Sequence, residues 1–273
     1  MRIDGHGHAC GGYLTIEDIH NTLSNNNIDA VVLVPGELNN SNTYKFKDDN
    51  AEKIPQKDVL VTINKKIKIA TTLTLMKRVI PKGNEYVFQL KKTDPDKIKQ
   101  FFWLTKKQWF DIDSLYTRMQ FEGIKLHQCW EYFKVDSDWF REVTDWCVNK
   151  NLPIFIHLYS HKEIIKLISH IKNNKEIKVI IGHLFGVEYF LNEELKYFNN
   201  IFYDLSNTYF VSEYRLRLAL KHFGSSKLLL GSDTPYGENA LEKCIKRIEF
   251  LDIKESDKEN ILGTNMNNIL RCK

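Results

Sequence analysis

At 273 residues, with 42% hydrophobic and 27% charged residues, the chain has the composition of a globular protein with a full core, not of a disordered one. Its formal charge of +4 comes from scattered lysines, and the absence of an arginine-rich run, a ribonucleoprotein motif or zinc-finger spacing speaks against a nucleic-acid partner. Five spread cysteines (Cys10, Cys129, Cys147, Cys244, Cys272) without a Cys-x-x-Cys read as free thiols, and no apolar run nears the roughly 18 residues of a membrane span, so the cytoplasm is the expected location.

In chain order, an apolar run at Ile3 to His8 precedes an amphipathic helix over Thr15 to Asn25, and a second run covers Ala30 to Val34. A segment of about fifty residues follows, much longer than an ordinary strand-to-helix loop, and is read as a flap inserted at about 39–84. Within it, Val59 to Ile63 and Ile67 to Leu73 alternate around Asn64-Lys65-Lys66 and suggest a β-hairpin. From Lys45 to Lys82 there are ten Lys or Arg against four Asp or Glu, an excess of six positive charges that is either a solvated lysine face or an attractor for an anionic substrate.

The alternation then continues. Helices are expected over Glu85 to Lys92, Ile112 to Phe121, Ser137 to Lys150, His161 to Lys172, Val187 to Phe198, Val211 to His222 and Glu238 to Phe250, with a last one over Ser256 to Leu270. Between them lie strands at Ile98 to Leu104, Gly123 to His127, Ile154 to Leu158, Val179 to Leu184, Ile201 to Leu205 and Leu228 to Ser232. Asp136, Ser137 and Asp138 offer an N-cap, and Pro153 marks the entry to the fifth strand. Eight strand-helix units predict an α/β fold, a (β/α)8 TIM barrel forming a single domain over 1–273 with a long insertion after strand 2.

Four of these strands end in metal-ligand residues: His6 and His8, His157, His183, and Asp233. A His-x-His pair on a strand turns both imidazoles to one face, and such barrels build their sites at the C-terminal strand ends. Singly, each histidine is more readily a satisfied core residue; their alignment at one end of the barrel is what points to a metal site.

The motifs Ile3-Asp4-Gly5-His6-Gly7-His8, Gly123-Ile124-Lys125-Leu126-His127, Pro153 to His157, Ile181-Gly182-His183, Tyr203-Asp204-Leu205-Ser206 and Leu230-Gly231-Ser232-Asp233, spread over nearly the whole chain, resemble the amidohydrolase superfamily. Within it the chain is similar to the amidohydrolase-related group that contains aminocarboxymuconate-semialdehyde decarboxylase. The resemblance implies that His6, His8, His157 and Asp233 bind a divalent metal such as zinc, that Asp233 carries the proton of an activated water, and that His183 bonds the substrate or holds a second metal. It leaves three readings open: Lys125 or His127 as a substrate contact, Lys125 as a carboxylated bridge between two metals, or a purely structural role. His127, two residues on, shares its face, and Gln128 stands where the motif usually has proline. Aromatic residues after the strands, among them Trp130 and Tyr236, suit the rim of a pocket for a planar substrate or the packing of a cap.

The expected function is a metal-dependent hydrolase of an amide, ester or lactone. Decarboxylation of an unsaturated or aromatic carboxylate is the alternative, and a non-catalytic metal-binding barrel the third reading. The expected partner is a small molecule, anionic if the basic insertion bears on it; nucleic acid and membrane are not expected, and a homo-oligomer is left open.

Overall fold

In the computed structural model, which describes residues 1–36, 50–73 and 82–271, eight strands pair in sequence order. They are β1 (Ile3–His8), β2 (Ala30–Val34), β3 (Ile98–Trp103), β4 (Gly123–His127), β5 (Ile154–His157), β6 (Val179–Ile181), β7 (Ile201–Asp204) and β8 (Leu228–Leu229). Each is parallel to the next. The ring closes through backbone bonds from Gly5 N to Leu230 O and His8 N to Thr234 O, both 2.9 Å, and from Asp233 N to His6 O, 2.7 Å. This is the (β/α)8 barrel that the alternation predicts.

The strands are buried on both faces, which is why they read as nearly continuous Val, Ile, Leu and Phe runs. One set, including Ala30, Val32, Phe101, Phe155 and Ile180, forms a compact inner cluster, while Val31, Leu33, Phe102, Ile124 and Ile156 join the larger layer under the helices. The pairing of β1 with β2 shifts register between Asp4 and Gly7, within the stretch that carries His6. Helix starts follow their local chemistry: Thr15 and Asp18 form a capping box, and Ser137 caps the helix Asp138–Asn149.

Three expectations are corrected. The hairpin is instead a single helix, Leu60–Leu73. Leu60, Ile63, Asn64 and Ile67 recur at helical spacing, and Asn64-Lys65-Lys66 lacks the glycine that a tight hairpin turn demands. The strands expected to run on to Leu184 and Ser232 end at Ile181 and Leu229, because the following residues turn to deliver side chains into the barrel mouth. The helix expected over Val187 to Phe198 is two short pieces, Val187–Phe190 and Glu193–Lys196. The rest of the insertion, 37–49 and 74–81, and Cys272 lie outside the described residues. Among the described residues no helix is long and apolar enough to cross a membrane.

Candidate metal centre

The residues after β8 wrap onto β1, and Asp4 is the brace. Its carboxylate, fully buried, accepts from Ser232 N at 2.9 Å, Ser232 Oγ at 2.6 Å and Tyr13 Oη at 2.7 Å. Burial pushes the Asp4 carboxyl up to about 6 against the pull of those donors. Gly231 has no room for a side chain, because a Cβ there would run into Asp204 Oδ1 and the Cβ of His6. Asp233 itself sits at φ 59°, a left-handed conformation held by its amide bond to His6 O.

That turn brings Asp233 Oδ1 within 3.2 Å of His8 Nε2 and 3.7 Å of His6 Nε2, with all three side chains buried. Ligands of a tetrahedral zinc stand about 3.3 Å apart at bond lengths of about 2.0–2.1 Å, so the spacing suits one divalent ion. The opposite ring nitrogens agree. His8 Nδ1 lies 3.1 Å from Pro35 O, a carbonyl that only accepts, so Nδ1 carries the proton and Nε2 presents its lone pair.

For His6 the partner is Ser206. Its hydroxyl donates to Asp204 Oδ2, which leaves its lone pairs to accept from His6 Nδ1 at 3.1 Å and His183 Nδ1 at 2.8 Å. One hydroxyl therefore sets both tautomers and leaves Nε2 without a proton on both rings; on His6 that lone pair faces Lys125 Nζ. His183 is further fixed by its backbone amide on Asp204 Oδ2 at 3.0 Å and, like Asp233, has a left-handed backbone, φ 56°. The group His6, His183 and Asp204 is thus a hydrogen-bonded support on the Nδ1 side. Replacing Ser206 with alanine is expected to weaken metal affinity about 10–100-fold, read by competition with a chromophoric chelator.

Electrostatics favour ligation. Burial holds His6 well below the ordinary histidine range, with the Lys125 charge adding to it, so its imidazole is neutral. Burial alone would raise Asp233; the surrounding imidazoles of His183, His8 and His6 outweigh it and hold the group well below the usual carboxylate range. Lys125 is buried with Nζ 3.1 Å from His6 Nε2 and 3.9 Å above the Phe155 ring.

His157 stands apart from this trio. Its ring stacks on His127 at 4.0 Å and 9°, and its Nε2 lies 2.9 Å from Asn64 Oδ1. Burial, then the neighbouring His127, His183 and Lys125, hold it well below the ordinary histidine range. The ligand atoms of His127, Cys129 and His157 also cluster, but two nearly parallel rings aim their in-plane lone pairs side by side instead of at one point. Burial pushes the Cys129 thiol up to about 12. That set does not fit a metal.

The remaining expected residues line the same mouth. Trp103 stacks on the far face of His127 and meets Trp130 edge-on, while Tyr236 stands edge-on to His8 at 5.3 Å. His127 Nδ1 and Trp130 Nε1 are buried without a hydrogen-bond partner among the described residues. Sequence reading passed over Asn64, taken for a turn, and the roles of Ser206 and Pro35. The helical spacing of Leu60, Asn64 and Ile67 was the signal available for the first; the other two act through contacts 200 and 27 residues distant in sequence.

No protein-family model matches the chain and no curated protein does. Solved structures do match over almost their full lengths. A Staphylococcus aureus protein assigned as an amidohydrolase is 14% identical, covers 98% of this chain and 99% of its own, and has a TM-score of 0.66. A 4-oxalomesaconate hydratase from Rhodopseudomonas palustris is 14% identical, with 100% and 96% covered and a TM-score of 0.65. A dihydroxybenzoic acid decarboxylase from Polaromonas sp. JS666, solved with manganese and the inhibitor 2-nitroresorcinol, is 12% identical, with 99% and 96% covered and a TM-score of 0.66. A hydratase and a decarboxylase on one barrel show that the fold does not choose the chemistry. What the likeness does establish is that this chain has the fold of the amidohydrolase-type (β/α)8 barrels, as the resemblance of its motifs implies.

Proposed function

We propose that the protein is a metal-dependent hydrolase of a small anionic substrate. The observation that carries this is the pairing of two proton acceptors at one cation-sized cluster: the carboxylate of Asp233, held anionic, and His183, whose Nε2 is left bare by Ser206. Those are the groups that water attack on a carbonyl carbon requires. His6, His8 and Asp233 would hold a divalent ion, which supplies Lewis acidity that polarises a carbonyl and acidifies water. Asp233 takes the proton from water and passes it to the leaving group, and His183 accepts a hydrogen bond from the attacking oxygen. Lys125 sits beside His6 as a buried positive charge that can pair with an anionic group of a substrate.

Decarboxylation is the second reading, favoured by the aromatic walls: Phe155 lies 4.3 Å from His6, Phe210 5.4 Å from His183, and Tyr236 against His8. An aromatic pocket suits loss of charge from a planar carboxylate, and a decarboxylase shares the fold. A panel of aromatic carboxylates, esters and lactones assayed in 18O-water separates the two. Label in the product and activity lost on chelation are expected. Carbon dioxide release without label would replace hydrolysis by decarboxylation, and full activity after metal removal would sink both.

A further inference from the structure

We propose that Asn64, from the segment inserted after β2, is a positioning residue that fixes His157 in the tautomer with its proton on Nε2, leaving Nδ1 as the only lone pair of that ring. The tautomer stands on geometry alone; its consequence for turnover rests on the hydrolase reading.

Asn64 is fully buried. Its side-chain nitrogen lies 3.0 Å from Leu158 O and 3.4 Å from Tyr159 O. Carbonyl oxygens accept and never donate, so the NH2 of the amide must face them; the flipped amide would set oxygen against two oxygens. Oδ1 is therefore the atom 2.9 Å from His157 Nε2. An amide oxygen only accepts, so Nε2 donates, and a neutral imidazole has no second N–H to give. His157 is thus wired in the opposite sense to His6 and His8, which commit Nδ1 and present Nε2.

The carrier of Asn64 is itself anchored. Asp58, just ahead of the helix, accepts from Arg215 Nη2 at 3.0 Å and from Gly186 N at 2.7 Å, and its Oδ1 bonds Leu60 N at 3.2 Å. The insertion is therefore tied to the loops after β5 and β6, and Asn64 arrives at His157 on a held helix. It decides which nitrogen of His157 faces a ligand, a role the barrel's own strands do not fill.

Proton-nitrogen spectra of the full-length 15N-labelled protein as purified, recorded through the two-bond couplings of the imidazole rings, read the tautomer directly, with His157 assigned by its loss in His157→Gln. The expected result is a protonated Nε2 and a bare Nδ1. Asn64→Leu, which removes the acceptor, is expected to give a mixture of tautomers, and Asn64→Asp, which keeps an acceptor, to retain the proton on Nε2. A proton on Nδ1 in the wild type, an Nε2 without a proton, or an Asn64→Leu spectrum unchanged at His157 would overturn the proposal. Should Asn64→Leu fail to fold, the wild type and Asn64→Asp still decide. Turnover is read separately: kcat in Asn64→Leu is expected to fall about 10–100-fold with KM kept. An altered tautomer with unaltered kcat would show that turnover makes no use of the His157 lone pair and leave the tautomer assignment intact.

Discussion

Asp233→Asn is expected to lower kcat by about 10²–10⁴-fold, the range for losing a positioned acid-base group, while the far-ultraviolet circular dichroism stays that of the wild type. The substitution keeps the shape of the side chain, and asparagine is among the residues that tolerate the left-handed backbone found here, φ 59°. Its amide NH2 can donate to the lone pair of His8 Nε2, where Oδ1 stands at 3.2 Å. What it loses is the negative charge, and with it both the proton acceptor and the anion that would face a bound cation directly. Metal content per chain is therefore expected to fall together with turnover, measured by plasma mass spectrometry after purification without chelator. Wild-type turnover in this variant would remove Asp233 from the mechanism.

How much of this was legible in the sequence depended on the range over which each determinant acts. Strand boundaries at Ile3–His8, Ala30–Val34 and Gly123–His127 are set by short apolar runs and were read to the residue. His6, His8 and Asp233 could be singled out because strand period and position at the barrel mouth are local properties, and the fold then brings them together. The turns that shorten β6 and β8 were not legible, because His183 and Asp233 adopt left-handed backbones only under bonds from Asp204 and His6, partners that no local window contains. The insertion misled for a different reason. A stretch such as Val59 to Leu73 carries both an alternating and a helical pattern, and the choice falls to contacts with the barrel: Asp58 to Arg215, and Asn64 to His157. The missing turn glycine at Asn64-Lys65-Lys66 weighed against the hairpin, and the contacts with the barrel fix the helix in place.

Those same contacts make Arg215 the position where one substitution should cost the most stability. Arg215, on the helix Glu213–Phe223, is fully buried and bonds Asp58, Glu188 at 2.7 Å and Leu184 O at 2.8 Å. Asp58 is nearly as buried, 2% exposed, whereas Glu188 is 35% exposed, so removal of the guanidinium strands the charge of Asp58 far more than that of Glu188. Arg215→Met is expected to destabilise by about 3–5 kcal/mol, the usual cost of breaking a buried pair from one side, and to lower Tm by roughly 10 °C. Arg215→Lys should recover little, since a single ammonium does not reproduce a fork that spans two carboxylates and a carbonyl. Asp58→Asn placed on top of Arg215→Met should restore part of the loss, because it removes the stranded charge; a double variant no more stable than the single one would show that packing, not charge, sets the cost. The effect also reaches the site. Asp58 anchors the helix that carries Asn64, so loosening it releases His157 Nε2 from its acceptor, and Arg215→Met should move the His157 spectrum in the same direction as Asn64→Leu, although Arg215 touches neither residue. A His157 signal that stays at its wild-type position in a folded Arg215→Met protein would mean that the helix holds its place through apolar contacts alone.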